Sequence, residues 1–207
     1  MNALNDDKMK IAIIGATGTI GSAVTAHFRE EHEVLTAGRT HGDLRVDIGD
    51  VDSIKTFFSQ TGPLDAVMCI AGEAKWAPFG ELSEADYYIG IRSKLMGQVN
   101  LVRIGDAFLN PEGSITLSTG ILADDPVPGT SSAAMVNGAL HSFVKATALE
   151  MTPGHRLNVV SLGLVEDAYE KYHEYFPGHV PVAMNTVVAA YERSVLGKGH
   201  GEIIRRY

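Results

Sequence analysis

Three glycines at three-residue steps, Gly15, Gly18 and Gly21 in "IIGATGTIG", follow an apolar run and open a helical pattern. Glycine lets a backbone turn sharply and approach a pyrophosphate, whose charge is favoured at a helix N-terminus. A loop of this kind, with Thr17, Thr19 and Ile20 between its glycines, points to a dinucleotide site. The competing reading is a tight turn that packs a helix on a strand. The second chemical signal is "LTAGRT", where Gly38 and Arg39 follow the apolar run and no acid follows it directly. An acidic residue at such a place reads a free ribose 2′-hydroxyl, whereas an arginine accommodates a 2′-phosphate. Arg39 therefore favours NADP(H), with a solvated surface arginine as the plainer alternative. Asp47 in "RVDIGD" is placed to accept a hydrogen bond from an adenine amino group, or else to cap the helix that follows.

The third signal is a polar residue on an apolar face. In "SSAAMVNGALHSFVKATALE", Ala133, Asn137, Leu140, Val144, Ala148 and Met151 recur at helical steps. Asn137 therefore points inward, although Asn-Gly normally signals a turn. It is either a satisfied buried amide or a contact to a ligand.

The elements that must position these groups alternate between short β-branched runs and longer helical patterns. Strands are expected over 10–14, 33–37, 44–48, 64–70, 114–118, 156–161 and 202–206. Helices are expected over 20–30, 51–59, 83–108 (broken near Gly90), 131–151 and 182–196. The strands lack strict alternation, as in a sheet covered on both faces. This is the pattern of an α/β fold: a single-domain, Rossmann-type, doubly wound parallel sheet of about seven strands with helices on both faces. At 207 residues the chain suits one such domain, taken as 10–207 behind a polar lead-in over 1–9 that has no signal-peptide core. The net charge of −8 provides no footprint for nucleic acid or an anionic membrane, and no apolar run is long enough to span a bilayer. The single cysteine, Cys69, excludes an internal disulfide, so a cytoplasmic setting is the default. No metal site is expected.

From about Lys10 onward the chain resembles the short-chain dehydrogenase/reductase family. "PLDAVMCIAG" is similar to that family's fourth strand and its Asn-Asn-Ala-Gly ending, with Ala71 and Gly72 kept and Cys69 and Ile70 replacing the asparagines. "EGSITLSTG" resembles the strand that carries the catalytic serine, and "NGALHSFVKATALEM" the helix that opens with Tyr-x-x-x-Lys. "RLNVVSLGLVED" resembles the sixth strand and its Ser-Pro-Gly turn, with Leu162 for proline. The even glycine spacing is closer to the family's extended and atypical branches.

The resemblance implies hydride transfer between a nicotinamide cofactor and a small carbonyl, imine or alcohol. It also implies a departure, because the usual catalytic groups are missing. Asn137 falls at the lysine position, Ala133 at the tyrosine position, Gly120 at the serine position and Lys94 at the asparagine position. Residues 124–140 contain neither tyrosine nor lysine, so no shift of alignment restores the motif. Candidate proton donors are then Lys94, if burial lowers its pKa, and Ser131 or Ser132 beside the vacated tyrosine position. The reading implied is an NADP(H)-dependent oxidoreductase with an atypical proton donor, acting on a small-molecule substrate and assembling as a homodimer or homotetramer. The alternatives are a non-catalytic NADP(H)-binding sensor or partner protein, and a cyclase or dehydratase reusing the pocket.

Overall fold

The computed structural model describes residues 8–207. Of the expected lead-in, residues 1–7 lie outside that range, while Met9 packs against the core. Seven strands form one sheet in the order β3-β2-β1-β4-β5-β6-β7, every pairing parallel. They are β1 Lys10–Ile14, β2 Glu33–Gly38, β3 Leu44–Arg45, β4 Leu64–Cys69, β5 Leu109–Gly120, β6 Arg156–Leu162 and β7 Ile203–Arg206. The helices are α1 Thr19–Arg29, α2 Val51–Thr61, α3 Glu84–Gly90, α4 Gly97–Gly105, α5 Ser131–Thr147, the short α6 Tyr169–Tyr172, and α7 Met184–Leu196.

The fold expected from the sequence is the fold observed. Ile54, Phe57 and Phe58 of α2, Leu101 and Val102 of α4, and Leu140 and Val144 of α5 cover one face of the sheet. Val24 and Phe28 of α1, with Val187, Ala190, Tyr191 and Val195 of α7, cover the other. Burial on both faces is why the central strands read as continuous apolar runs. Strand order reverses between β1 and β4, and ligands of such sheets bind at the carboxyl ends beside that switch point.

Beyond shifts of one or two residues at element ends, four elements differ from expectation, each for a local reason. β3 is shorter than 44–48, because this edge strand pairs only at Ala37–Leu44 and Gly38–Arg45. Val46 and Ile48 are apolar because they are core, not ladder partners. β5 begins five residues before the expected 114, and its register with β4 shifts between Leu64 and Ala66. α5 stops at Thr147 rather than 151, where tighter bonds (Leu149 N–H to Ala146 O, Glu150 N–H to Thr147 O) end it. The long helix expected over 83–108 is broken at Gly90 without changing course: α3 passes into a π-helical turn, Ile91–Met96, and then into α4. There the Gly97 N–H bonds Arg92 O, five residues back. The turns and α6 over 166–175 had no clear periodic signal, yet they cover the carboxyl end of β6.

Candidate functional site

The carboxyl ends of the strands frame two clefts that share Ala71 and Gly72 as a common wall. The smaller, of about 260 Å³, lies between β1, β2 and β4. Gly15, with φ +85°, turns the chain out of β1, and a Cβ there would meet Ile70 O at 2.3 Å. Gly18 is the N-cap of α1, which has no side-chain cap and no acid in its first turn. Thr17, Gly18 and Thr19 are exposed, so the first amides of α1 are open to an anion. Gly21 packs against the loop from inside the helix, its Cβ position 2.0 Å from Gly15 O.

Arg39 and Asp47 both line this cleft. Arg39 forms a long, exposed ion pair with Glu73 at 3.7 Å, an interaction weak enough to yield to a better anion. Asp47 accepts from its own loop at Gly49 N–H (2.9 Å), and Asp50, not Asp47, caps α2 by accepting from Asp52 and Ser53 N–H. The helix-cap alternative for Asp47 is thereby corrected. Its neighbour three residues on has the required position relative to the first turn.

The larger cleft, about 440 Å³, extends from Ala71 and Gly72 past the ends of β5 and β6 to Trp76, Tyr172 and Phe176. Ile20 of the glycine loop and Lys94 of the π-helical turn reach its wall. Gly72 (φ +117°) lies so close that a Cβ on it would be 2.9 Å from Lys94 Cα. π-helical turns recur at functional sites because they re-aim side chains. Here the turn directs Lys94 across the end of β4. Burial lowers the Lys94 pKa from its ordinary value, and the nearby Cys69 thiol opposes this weakly. Desolvation in turn raises the Cys69 pKa to about 11.

Asn137 is 4% exposed and faces the sheet as its periodicity predicts. Its Nδ2 stands 3.8 Å from where a Cβ on Gly120 would be, and its buried Oδ1 has no partner among the described residues. Lys94 lines the cleft, whereas Asn137 lies behind Gly120 and is not among the residues that border it. The serines do not border it either. Ser131 Oγ is engaged with Tyr87 Oη at 3.0 Å. Ser132 is fully buried against Gly90 of α3, and its hydroxyl has no partner among the described residues. Both sit behind the cleft wall because the first turn of α5 packs on α3, so neither side chain borders the cavity.

Several site residues are brought together only by the fold. Tyr191 of α7 is fully buried with its hydroxyl 2.8 Å from Ser118 Oγ, and desolvation raises its pKa well above the tyrosine range. Thr119 Oγ1 lies 2.9 Å from His141 Nε2. Asp124 binds Arg205 through Nε (3.0 Å) and Nη2 (3.1 Å), and it also accepts from the Tyr207 hydroxyl. These partners come from β5, α5, α7, β7 and the loop after β5, and no spacing along the chain links them.

Asp124 supports a direct prediction. Its carboxyl pKa falls from 3.8 to about 2, chiefly through Arg205 and then Tyr207. A depressed acid contributes stability that is complete above pH 4 and is lost as pH falls toward 2. Asp124→Asn therefore loses about 1 kcal/mol at pH 7, a value discounted for solvent screening, and its acid-unfolding curve is flatter between pH 4 and 2. Urea titrations at pH 7, 4 and 2.5 measure this. Equal slopes in the two proteins would refute it.

Among the described residues no helix is long and apolar enough to cross a membrane, and no three His, Cys, Asp or Glu side chains cluster as metal ligands. A family model described as enoyl-(acyl carrier protein) reductase matches residues 14–182. The protein lin1944 from Listeria innocua is 45% identical, with a TM-score of 0.94, covering 96% of this chain and 100% of its own. A small-chain dehydrogenase crystallised in complex with NADPH is 26% identical at TM-score 0.85, covering 97% of each chain. A short-chain dehydrogenase/reductase of the glucose/ribitol dehydrogenase type from Brucella melitensis shares the fold at 20% identity and TM-score 0.83, covering 96% of this chain and 94% of its own. No curated protein matches.

Proposed function

Because this chain belongs to the short-chain dehydrogenase/reductase family, we propose that it binds NADP(H) and acts as an oxidoreductase on a small carbonyl, imine or alcohol, without the family's usual proton donor. The observation that carries this reading is the pair of clefts joined at Ala71 and Gly72. One has the form of a nucleotide site. The other is a mostly apolar chamber of about 440 Å³ continuous with it, which a purely nucleotide-sensing protein would not need. The NADPH complex of the 26% identical dehydrogenase supports the same cofactor.

The residues present fit the nucleotide. The open amides of Thr19 and Ile20 at the start of α1 suit a pyrophosphate, Arg39 a 2′-phosphate and Asp47 an adenine amino group. Lys94 offers a donor from the wall of the larger cleft. When bound, the nicotinamide supplies or accepts the hydride. Trp76, Tyr172 and Phe176 add aromatic surface to the lining of the chamber. Tyr88, Ile89, Met96 and Met135 are exposed on α3, the π-helical turn and α5, which supports assembly of two or four copies through those helices.

The cofactor reading is tested by fluorescence titration of NADPH and NADH. Arg39→Ala lowers NADPH affinity about tenfold, or 1.4 kcal/mol, and leaves NADH affinity within about twofold. Equal losses for both nucleotides would remove Arg39 from the 2′-phosphate. Failure of the parent protein to bind either would sink the proposal.

A further inference from the structure

We propose that Thr119 and His141 form the proton relay of the larger cleft, with Asp124 as the residue that positions it. The proposal rests on reading that cleft as a carbonyl or alcohol site. Ala133, Asn137 and His141 follow one another at four-residue steps on the sheet-facing side of α5, so they form a single stripe. Across from the stripe run the last residues of β5, with Gly120 near Asn137 and Thr119 bonded to His141.

Thr119 is the cleft hydroxyl that is linked to an imidazole. Ser118 Oγ is committed to Cys69 O (2.5 Å) and to Tyr191. The Tyr191 phenol, held in that same contact, is made a weaker acid by burial. Thr119 lines the cleft and meets His141 Nε2 at 2.9 Å, with Val160 O as a longer second acceptor at 3.5 Å. His141 Nδ1 stands 3.9 Å from Asp124 Oδ2. Because Asp124 is held by Arg205 and Tyr207, it stays ionised and orients an Nδ1–H toward itself. That leaves Nε2 of the neutral ring free to accept the Thr119 hydroxyl.

In the reducing direction the protonated ring starts the relay. The Thr119 Oγ1–H bond breaks as an O–H bond forms on the substrate oxygen, which bears the former π pair of its carbonyl. The Nε2–H of His141 restores the threonine hydroxyl, and the ring ends neutral with its remaining proton on Nδ1. The oxidising direction runs the same transfers backward. Burial lowers the His141 pKa and so strengthens it as a donor. Asp124 opposes this, while Arg205 from β7 and Lys145 from α5 itself reinforce it.

Two measurements test the relay. In the protein without cofactor, ¹⁵N-histidine spectra should show neutral His141 carrying its proton on Nδ1. A neutral ring protonated on Nε2 would overturn the proposal. In NADPH oxidation with 4-nitrobenzaldehyde as probe, Thr119→Val should lower kcat about 100-fold or more while NADPH affinity stays within twofold, and Thr119→Ser should recover most of the loss. The rate should fall as pH rises through the His141 pKa, and Asp124→Asn should move that limb to lower pH. Parental kcat in Thr119→Val, or an unmoved limb in Asp124→Asn, would also overturn it. A protein that binds no NADPH counts against the proposed function alone, because the tautomer still decides the relay.

Discussion

A Gly21→Ala variant loses about 2 kcal/mol of stability and binds NADPH about 100-fold more weakly than the parent. The added Cβ falls 2.0 Å from Gly15 O, 2.8 Å from Gly15 C and 3.0 Å from Ala16 Cα. All three are backbone atoms, which cannot swing aside as the tip of a flexible side chain can. The loop must open or α1 must lift from the sheet, and overpacking of this kind typically costs about 1–3 kcal/mol, occasionally more. Replacing glycine inside a helix returns only about 1 kcal/mol. An opened loop also misdirects the amides that would face a pyrophosphate. Losing two hydrogen bonds to a charged group, at about 1.5 kcal/mol each, accounts for the weaker binding. Gly138→Ala is the control, since nothing lies within 4 Å of its Cβ position in α5. It should gain about 0.5–1 kcal/mol and leave binding unchanged. Urea unfolding and NADPH fluorescence read both quantities. Parental affinity in Gly21→Ala would mean that the pyrophosphate does not lie on this loop.

A Gln98→Leu variant is destabilised by about 2–4 kcal/mol although the new side chain is apolar and similar in size. Gln98 is fully buried. Its Oε1 accepts from Ser118 N–H at 2.9 Å, and its Nε2 donates to Ser118 O at 3.1 Å and Lys94 O at 3.2 Å. β4 pairs with β5 only as far as Met68–Thr116, so the next backbone groups of β5 on that side lack a strand partner. The glutamine amide takes the place of the missing residue. Leucine would leave the Ser118 N–H and C=O buried and unpaired, at about 1–3 kcal/mol for each group. Since the Lys94 carbonyl and the Ser118 backbone are tied through this one side chain, the loss reaches both walls of the cleft. Chemical denaturation measures the first effect, and weaker NADPH binding by the still-folded variant measures the second. A change under about 0.5 kcal/mol would mean that water replaces the amide.

The features that could be read from the chain alone are those set by local periodicity. The glycine loop lies between an apolar strand and a helix, and each of its groups is within a few residues of the next. Asn137 was legible because one helical period determines which way it points. Lys94 was legible as a residue near the cleft, though the turn that aims it was not. A run of "IRSKLMG" has no composition that distinguishes an α turn from a π turn; the bond from Gly97 N–H to Arg92 O, five residues back, does. The expectation for Ser131 and Ser132 placed them near the vacated tyrosine position. Their actual surroundings depend on how α3 crosses α5, which is a tertiary fact. The Thr119–His141 contact was invisible for the same reason. Each of the two lies in a segment whose apolar neighbours account for its burial, and only the packing of α5 on β5 brings them together. Asp124 is exposed in the loop after β5, and its pairing with Arg205 is likewise a tertiary fact. Gln98 resembled any polar residue in a helix, and its value lies in the short length of a strand elsewhere.

The π-helical turn at Ile91–Met96 also acts as a phase adjustment between two helices that must be read from different sides. Each residue advances an α-helix by about 100°, so one extra residue in a turn offsets everything before it from everything after it. The offset lets Gly90 sit against Ser132 and Val136 of α5 while Gln98 and Leu101, a few residues later, face the sheet. A deletion of one residue here would leave a regular helix of good propensity. It would also rotate α3 away from α5 or carry Lys94 off the end of β4. For this segment, length is therefore under tighter constraint than residue identity: substitutions on its exposed positions are absorbed locally, whereas a single-residue gap changes what the cleft presents.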